Sequence, residues 1–167
     1  PPTPSRSPGL DRAGVEAVLR RWLGVERVLW LPHGLLHDDD TDGHVDNVAL
    51  CVCPGVVLAQ TTSDSGHPDH DRLRGNVEVL AGAGYEVIEI DVLPVVEVDG
   101  ERADVPPLNL YLPNGGAVVP VVDGPEGDAA LAAVARALPD REVVGVPGAV
   151  LAHGGGGVDC ITQQVPR

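Results

Sequence analysis

Residues 47–60 read NVALCVCPGVVLAQ, two apolar runs hinged on Pro54-Gly55, and the fold follows from what surrounds them. Alternating β-branched residues on either side of a Pro-Gly pair are a hairpin signal. The next ten residues, TTSDSGHPDH, are polar and acidic, and a helical pattern then runs from Leu73 to Ala83. The helix ends in AGYEVIEID (83–91), a new strand. The unit is therefore strand, strand, helix, strand.

The same order returns downstream. LNLYLPNGGAVVPVV (108–122) turns at Asn114-Gly115, DGPEGD (123–128) forms the acidic loop, Ala129 to Leu138 is helical, and LPDREVVGV (138–146) is the closing strand. Upstream, a helix over Arg12 to Leu23 runs into LGVERVLWL (23–31), the tail of a third unit. Val28, Val87 and Val143 mark the closing strands at intervals of 59 and 56 residues. Repetition at that period points to a radial or stacked array in which no unit buries its face alone. The class is α/β (α+β) in one region, residues 9–167, after a Pro-rich stretch (1–8) that reads as a tail or severed connector.

Composition narrows the partners. The 167 residues carry a net charge of -14, with 11 basic residues, all Arg, against 25 acidic ones. Such a chain is a poor match for nucleic acid, whose affinity rests on basic groups meeting phosphate. A cationic ligand suits the field better. No apolar run has the length of a membrane span. With no Phe and two each of Trp and Tyr, the core must come from Val, Leu, Ala and Ile. Three cysteines give no disulfide framework, which favours a reducing, cytoplasmic setting. Cys51 and Cys53, in an apolar strand, are expected in the core. The chain lacks Met even at position 1, so a processed start or a cut from something longer is expected.

Two segments carry chemistry. DDDTDGHVDN (38–47) fits the first half of a calcium loop through Asp38, Asp40, Asp42 and Gly43, but the twelfth position is Ala49 where a bidentate Glu is needed. Residues 47–52 also read as a strand there, where a calcium loop would need a helix. His44 and Asp46, two apart at a strand entrance, read either as a general base with its carboxylate or as a hydrogen-bonded turn pair. GGGGVDCITQQ (154–164) sets Cys160 behind four glycines, either a nucleophile approached over bare backbone or a buried thiol after a turn. A zinc set of His33, His37, His44 and Cys160 matches by residue type but has no tight ligand spacing.

WLPHGLLHDDDTDGHVDN (30–47), NLYLPNGGAVVP (109–120), ALPDREVVGVPG (137–148) and GGGGVDCITQQ together resemble, in order and spacing, the C-terminal half of the agmatine deiminases. These are a branch of the peptidyl-arginine deiminase family in the guanidine-modifying (pentein) superfamily. The resemblance covers nearly the whole chain. It implies about half of a five-bladed α/β propeller, and the repeat unit is an independent argument for the same architecture. It further implies hydrolysis of agmatine to N-carbamoylputrescine and ammonia, a step of putrescine biosynthesis, with no metal and no organic cofactor. By the resemblance Cys160 is the nucleophile that passes through a covalent thiouronium, His44 the acid and base, and Asp46 the carboxylate that clamps the guanidinium. Gly155 and Gly156 would let a flat substrate approach. A peptidyl- or free-arginine substrate, or guanidinium binding without turnover, are the alternatives. The family's N-terminal carboxylates match nothing here, so a missing N-terminal half is an expected partner, with a homodimer a further expectation. Where the family commonly has His before the nucleophile, this chain has Asp159.

Overall fold

The computed structural model describes residues 7–38 and 41–165. Most of the expected tail (1–8) and Asp40 of the calcium-like run therefore lie outside the described residues. Helix α1 (Arg12–Leu23) begins where Asp11 accepts from the backbone N–H of Gly14 at 2.8 Å and ends at Gly24, a left-handed cap at φ 68°. None of its residues is buried. Segment 25–31 after it was expected as a strand through Val28, but it joins no ladder. Extended backbone becomes a strand only beside a partner, and none lies along it among the described residues.

The first complete unit is as the sequence implies. Strand β1 (Ala49–Cys53) pairs antiparallel with β2 (Val56–Gln60) across the Pro54-Gly55 turn, where Gly55 has φ +83°. Helix α2 (His70–Gly82) then crosses over to β3 (Glu86–Ile90), parallel to β2. Side chains alternate across a strand, so β2 is covered on both faces. Val57 and Ala59 meet Val77 and Leu80 of α2, while Leu58 enters the larger cluster on the other side.

A short hairpin of β4 (Val95–Val98) and β5 (Glu101–Asp104) follows, outside the repeat. The second unit consists of β6 (Gly116–Val121), helix α3 (Pro125–Ala137) and β7 (Glu142–Pro147), the last parallel to β6. Its expected first strand survives only as one bridge, Tyr111 to Val118. The next pair in that register would be Asn109 with Pro120, but Pro120 has no N–H and the Asn109 N–H turns back to the Pro106 carbonyl at 3.1 Å, so the ladder stops. Leu58 and Ile90 from the first unit pack with Ala117, Val119, Ala133 and Val134 from the second, so one core joins both. Helix α4 (Ala149–His153) leads into the glycine run.

Two expectations need correction. Cys51 and Cys53 are exposed, because β1 is an edge strand whose other face, Leu50 and Val52, packs on the core. Residues Val45–Asn47 form a single 3-10 turn, and the strand starts only at Ala49. The three sheets hold three, two and two strands, and none closes on itself among the described residues. No helix among them is long and apolar enough to cross a membrane.

Candidate active site

Three segments distant in sequence meet at one point. The first is the His44 turn, and it is fastened before it reaches the site. Asn76 of α2, 1% exposed, brackets His33 by accepting from its N–H at 3.2 Å and donating to its carbonyl at 2.7 Å. Asp69 accepts from the N–H of Leu36 at 2.8 Å. Leu35 and Val48 sink into a small cluster with Leu73 and Leu93. Gly34 and Gly43 touch through bare backbone, for a Cβ on Gly34 would lie 2.4 Å from the Gly43 Cα.

Asp38 then ties the turn together. Its Oδ2 accepts from the His44 N–H at 3.1 Å and from Asn47 Nδ2 at 3.0 Å, and the Thr41 hydroxyl donates to its Oδ1. With its oxygens serving three protein donors, Asp38 is a turn anchor. His44 and Asp46 come together as expected but through the 3-10 turn and not a strand entrance, with His44 Nδ1 3.6 Å from Asp46 Oδ1.

The second segment is the cysteine turn, Asp159–Ile161, whose carbonyls at Val158 and Asp159 accept from the Thr162 hydroxyl at 3.0 and 3.1 Å. Cys160 is exposed, which corrects the buried-thiol alternative. Its S–H donates to Asp46 Oδ2 across 3.3 Å. His44, Asp46 and Cys160 offer atoms that all lie within 4.8 Å of one another. A cation could find three donors there by type. His33 and His37 do not belong to that group, so the zinc set read from the sequence does not assemble.

The third segment was not read from the sequence as functional. Asn109, fully buried, lies between Leu108 and Leu110, each 1% exposed and part of the main core. Its Nδ2 donates toward Asn47 Oδ1 (2.7 Å), Asp46 Oδ2 (3.2 Å) and Cys160 Sγ (3.3 Å). Its Oδ1 accepts from the N–H of Asp159 at 3.0 Å, and its carbonyl accepts from Val158 at 3.1 Å. The signal was an Asn inside an apolar Leu-Asn-Leu run, where a buried amide must find partners. Asn109 Nδ2 thus directs an N–H at the same Asp46 oxygen and Cys160 sulfur that a cation would need.

Two of the glycines fit closely against the protein's own side chains. A Cβ on Gly157 would stand 2.5 Å from Asn109 Cγ, and one on Gly156 would stand 3.1 Å from the Cys160 Cβ. Gly155 and Gly156, expected against substrate, line a polar cavity of about 240 Å³ together with Asn47, His37, Arg102 and Asp104. Cys160, His44 and Asp46 are not among its lining residues. Asp159 is half-buried, and burial first, then the charge of Asp46, raises its carboxyl above the usual range. In that cavity wall Asp104 is likewise raised, by burial first and by Asp69 second.

The family model for Porphyromonas-type peptidyl-arginine deiminase matches residues 2–166. The agmatine deiminase of Pseudomonas putida is 38% identical over 97% of this chain and 50% of its own length. That of Pseudomonas fluorescens is 37% identical with the same coverage. The structure of the Enterococcus faecalis agmatine deiminase superimposes with a TM-score of 0.90 at 28% identity, covering 99% of this chain and 51% of that one. The chain thus spans about half the length of the curated relatives it matches.

Proposed function

The chain belongs to the Porphyromonas-type peptidyl-arginine deiminase family, and from that premise we propose that it is the cysteine-bearing half of an agmatine-hydrolysing deiminase. The observation that carries the reading is the convergence of Cys160 Sγ, Asp46 Oδ2 and the His44 imidazole across 114 residues of sequence. Guanidinium carbon is a poor electrophile because its charge is delocalised, so it needs a strong nucleophile held directly over it. The Cys160 thiolate adds to that carbon while Asp46 accepts the planar N–H groups. His44 gives a proton to the departing nitrogen, the C–N bond breaks, and ammonia leaves behind a thiouronium. His44 then takes a proton from water, which adds to the same carbon. The C–S bond breaks to release N-carbamoylputrescine and restore the thiolate. The complete unit β1–β2–α2–β3 and the partial unit β6–α3–β7, with coverage of half of each relative, support placing this chain as about half of a five-bladed propeller, the other half supplying the remaining carboxylates.

A second reading, guanidinium binding without turnover, is favoured by one observation. Cys160 is exposed, as are its neighbour Ile161 at 68% and Val45 of the facing turn at 60%. Water therefore reaches the site freely in this chain.

The test is labelling of the purified chain with 2-chloroacetamidine at neutral pH, read by mass spectrometry, alongside an ammonia assay with agmatine. Cys160 is expected to displace chloride faster than the exposed Cys51 and Cys53 of the same molecule, with agmatine slowing it and little ammonia released. Equal labelling of all three cysteines would count against the nucleophile. Full turnover, abolished by Cys160→Ala, would overturn the half-enzyme reading.

A further inference from the structure

The Asn109 amide has two N–H bonds and faces three acceptors. Asn47 Oδ1, at 2.7 Å, takes one hydrogen, and Asp46 Oδ2 (3.2 Å) and Cys160 Sγ (3.3 Å) share the other. In the neutral thiol the Cys160 S–H itself bonds to Asp46 Oδ2 at 3.3 Å, with Asn109 Oδ1 a more distant acceptor at 3.6 Å. Ionisation removes that hydrogen and leaves sulfur and carboxylate facing each other as two anions, with the Asn109 N–H between them. A hydrogen bond to a charged form favours that form.

Two neighbours fix which way this amide points. Its Oδ1 is held by the N–H of Asp159. On the other side, Asp38 as a carboxylate can only accept, so Asn47 must turn its Nδ2 toward Asp38 and its Oδ1 toward Asn109. Asn109 must then present N–H to the site, since the flipped amide would set oxygen against oxygen at both Asn47 and Asp46. Gly157 leaves the space this side chain occupies.

We propose that Asn109 is a positioning residue for the nucleophile. Its shared N–H lets the Cys160 thiolate stand beside the Asp46 carboxylate, and Asp38 sets the direction of that donor through Asn47. The charged and titratable groups facing Cys160 are His44 and Asp46 from the one turn and Asp159 from its own. The inference rests on the reading of Cys160 as nucleophile.

The experiment uses the full chain carrying Cys51→Ser and Cys53→Ser, so that Cys160 is the remaining thiol. Alkylation by iodoacetamide is followed by intact mass across pH, with circular dichroism to confirm folding. Asn109→Asp keeps the shape and replaces the donor with an acceptor. Alkylation at neutral pH is expected to fall about tenfold, and the pH profile to move up by about one unit. Asp38→Asn, which bonds to neither Cys160 nor Asp46, frees Asn47 to turn and is expected to act in the same direction, by about threefold. An unchanged profile in folded Asn109→Asp overturns the proposal. Should that variant not fold, an unchanged profile in Asp38→Asn does so. A parent chain whose Cys160 reacts no faster than in urea overturns the nucleophile reading itself.

Discussion

Replacing each glycine of the 154–157 run by alanine separates what the four do. Gly154 has a conventional backbone, φ -79°, and an added Cβ would meet only the carbonyl oxygens of Leu151 and Val150, at 3.4 and 3.6 Å. Its replacement should be neutral to within about 0.5 kcal/mol. Gly155 has φ +81°, so Gly155→Ala costs the left-handed conformation, about 1 kcal/mol. At Gly157 the backbone is ordinary and the space is not. The new Cβ would stand 2.5 Å from Asn109 Cγ and Oδ1 and 2.7 Å from its Cβ. Carbon atoms rest at about 3.5–4.0 Å, so the overlap exceeds about 1 Å. Asn109 cannot yield, because its amide is held at both ends. Overpacking costs about 1–3 kcal/mol, and a lost Asp159-to-Asn109 hydrogen bond adds about 1 kcal/mol. Gly157→Ala should therefore lose about 3 kcal/mol, lowering the urea midpoint by about 1.5 M for a slope of about 2 kcal/mol/M. If Gly157→Ala unfolds at the same urea concentration as Gly154→Ala, the contact with Asn109 is not what the glycine is for.

Asp104, 4% exposed at its side chain, has neither oxygen hydrogen-bonded and only a long ion pair to Arg102 at 3.8 Å, so Asp104→Asn should be stabilising at pH 7 by about 1–3 kcal/mol. Its carboxyl is raised in the fold, so the native state gains from its proton below the usual carboxylate range and loses that gain as pH rises. The advantage of Asn over Asp should accordingly shrink as urea melts are repeated at lower pH. Cys51→Ser and Cys53→Ser should each change stability by less than about 0.5 kcal/mol by thermal melting, as expected for exposed positions and not for core ones. Leu73→Ala, at a position with no exposure, should cost about 2–5 kcal/mol in the same assay.

Apolar periodicity located the three longer helices, the five-residue α4 being too short to show a period, and it placed α1 at both of its ends. For α2 and α3 it started late, because His70 to Arg72 and Pro125 to Asp128 are first-turn residues that carry no apolar stripe. The misreading of Cys51 and Cys53 has the opposite cause. An apolar edge strand buries one face only, and composition cannot tell an edge from a centre. At the site, residue type and spacing left Cys160, His44 and Asp46 open, and the resemblance to the family brought them forward together. Asn109 stayed hidden because its function depends on burial and on three partners up to 63 residues away. Single-strand patterning has no access to such a junction.

Helix α1 is continuous and well capped, yet every one of its side chains is at least partly open to solvent. Two of its side chains reach Trp30 of the following segment: Glu16 accepts from Trp30 Nε1 at 2.8 Å, and the Arg12 guanidinium lies 4.8 Å from the centre of the Trp30 ring. Amide protons report such a difference directly. Those of β2, β3, β6 and α3 can exchange only when the shared core opens, whereas those of α1 need only its own detachment. The deuterium-uptake map of this chain should divide near residue 31, with the first helix labelling in a fast phase that leaves the cysteine turn untouched.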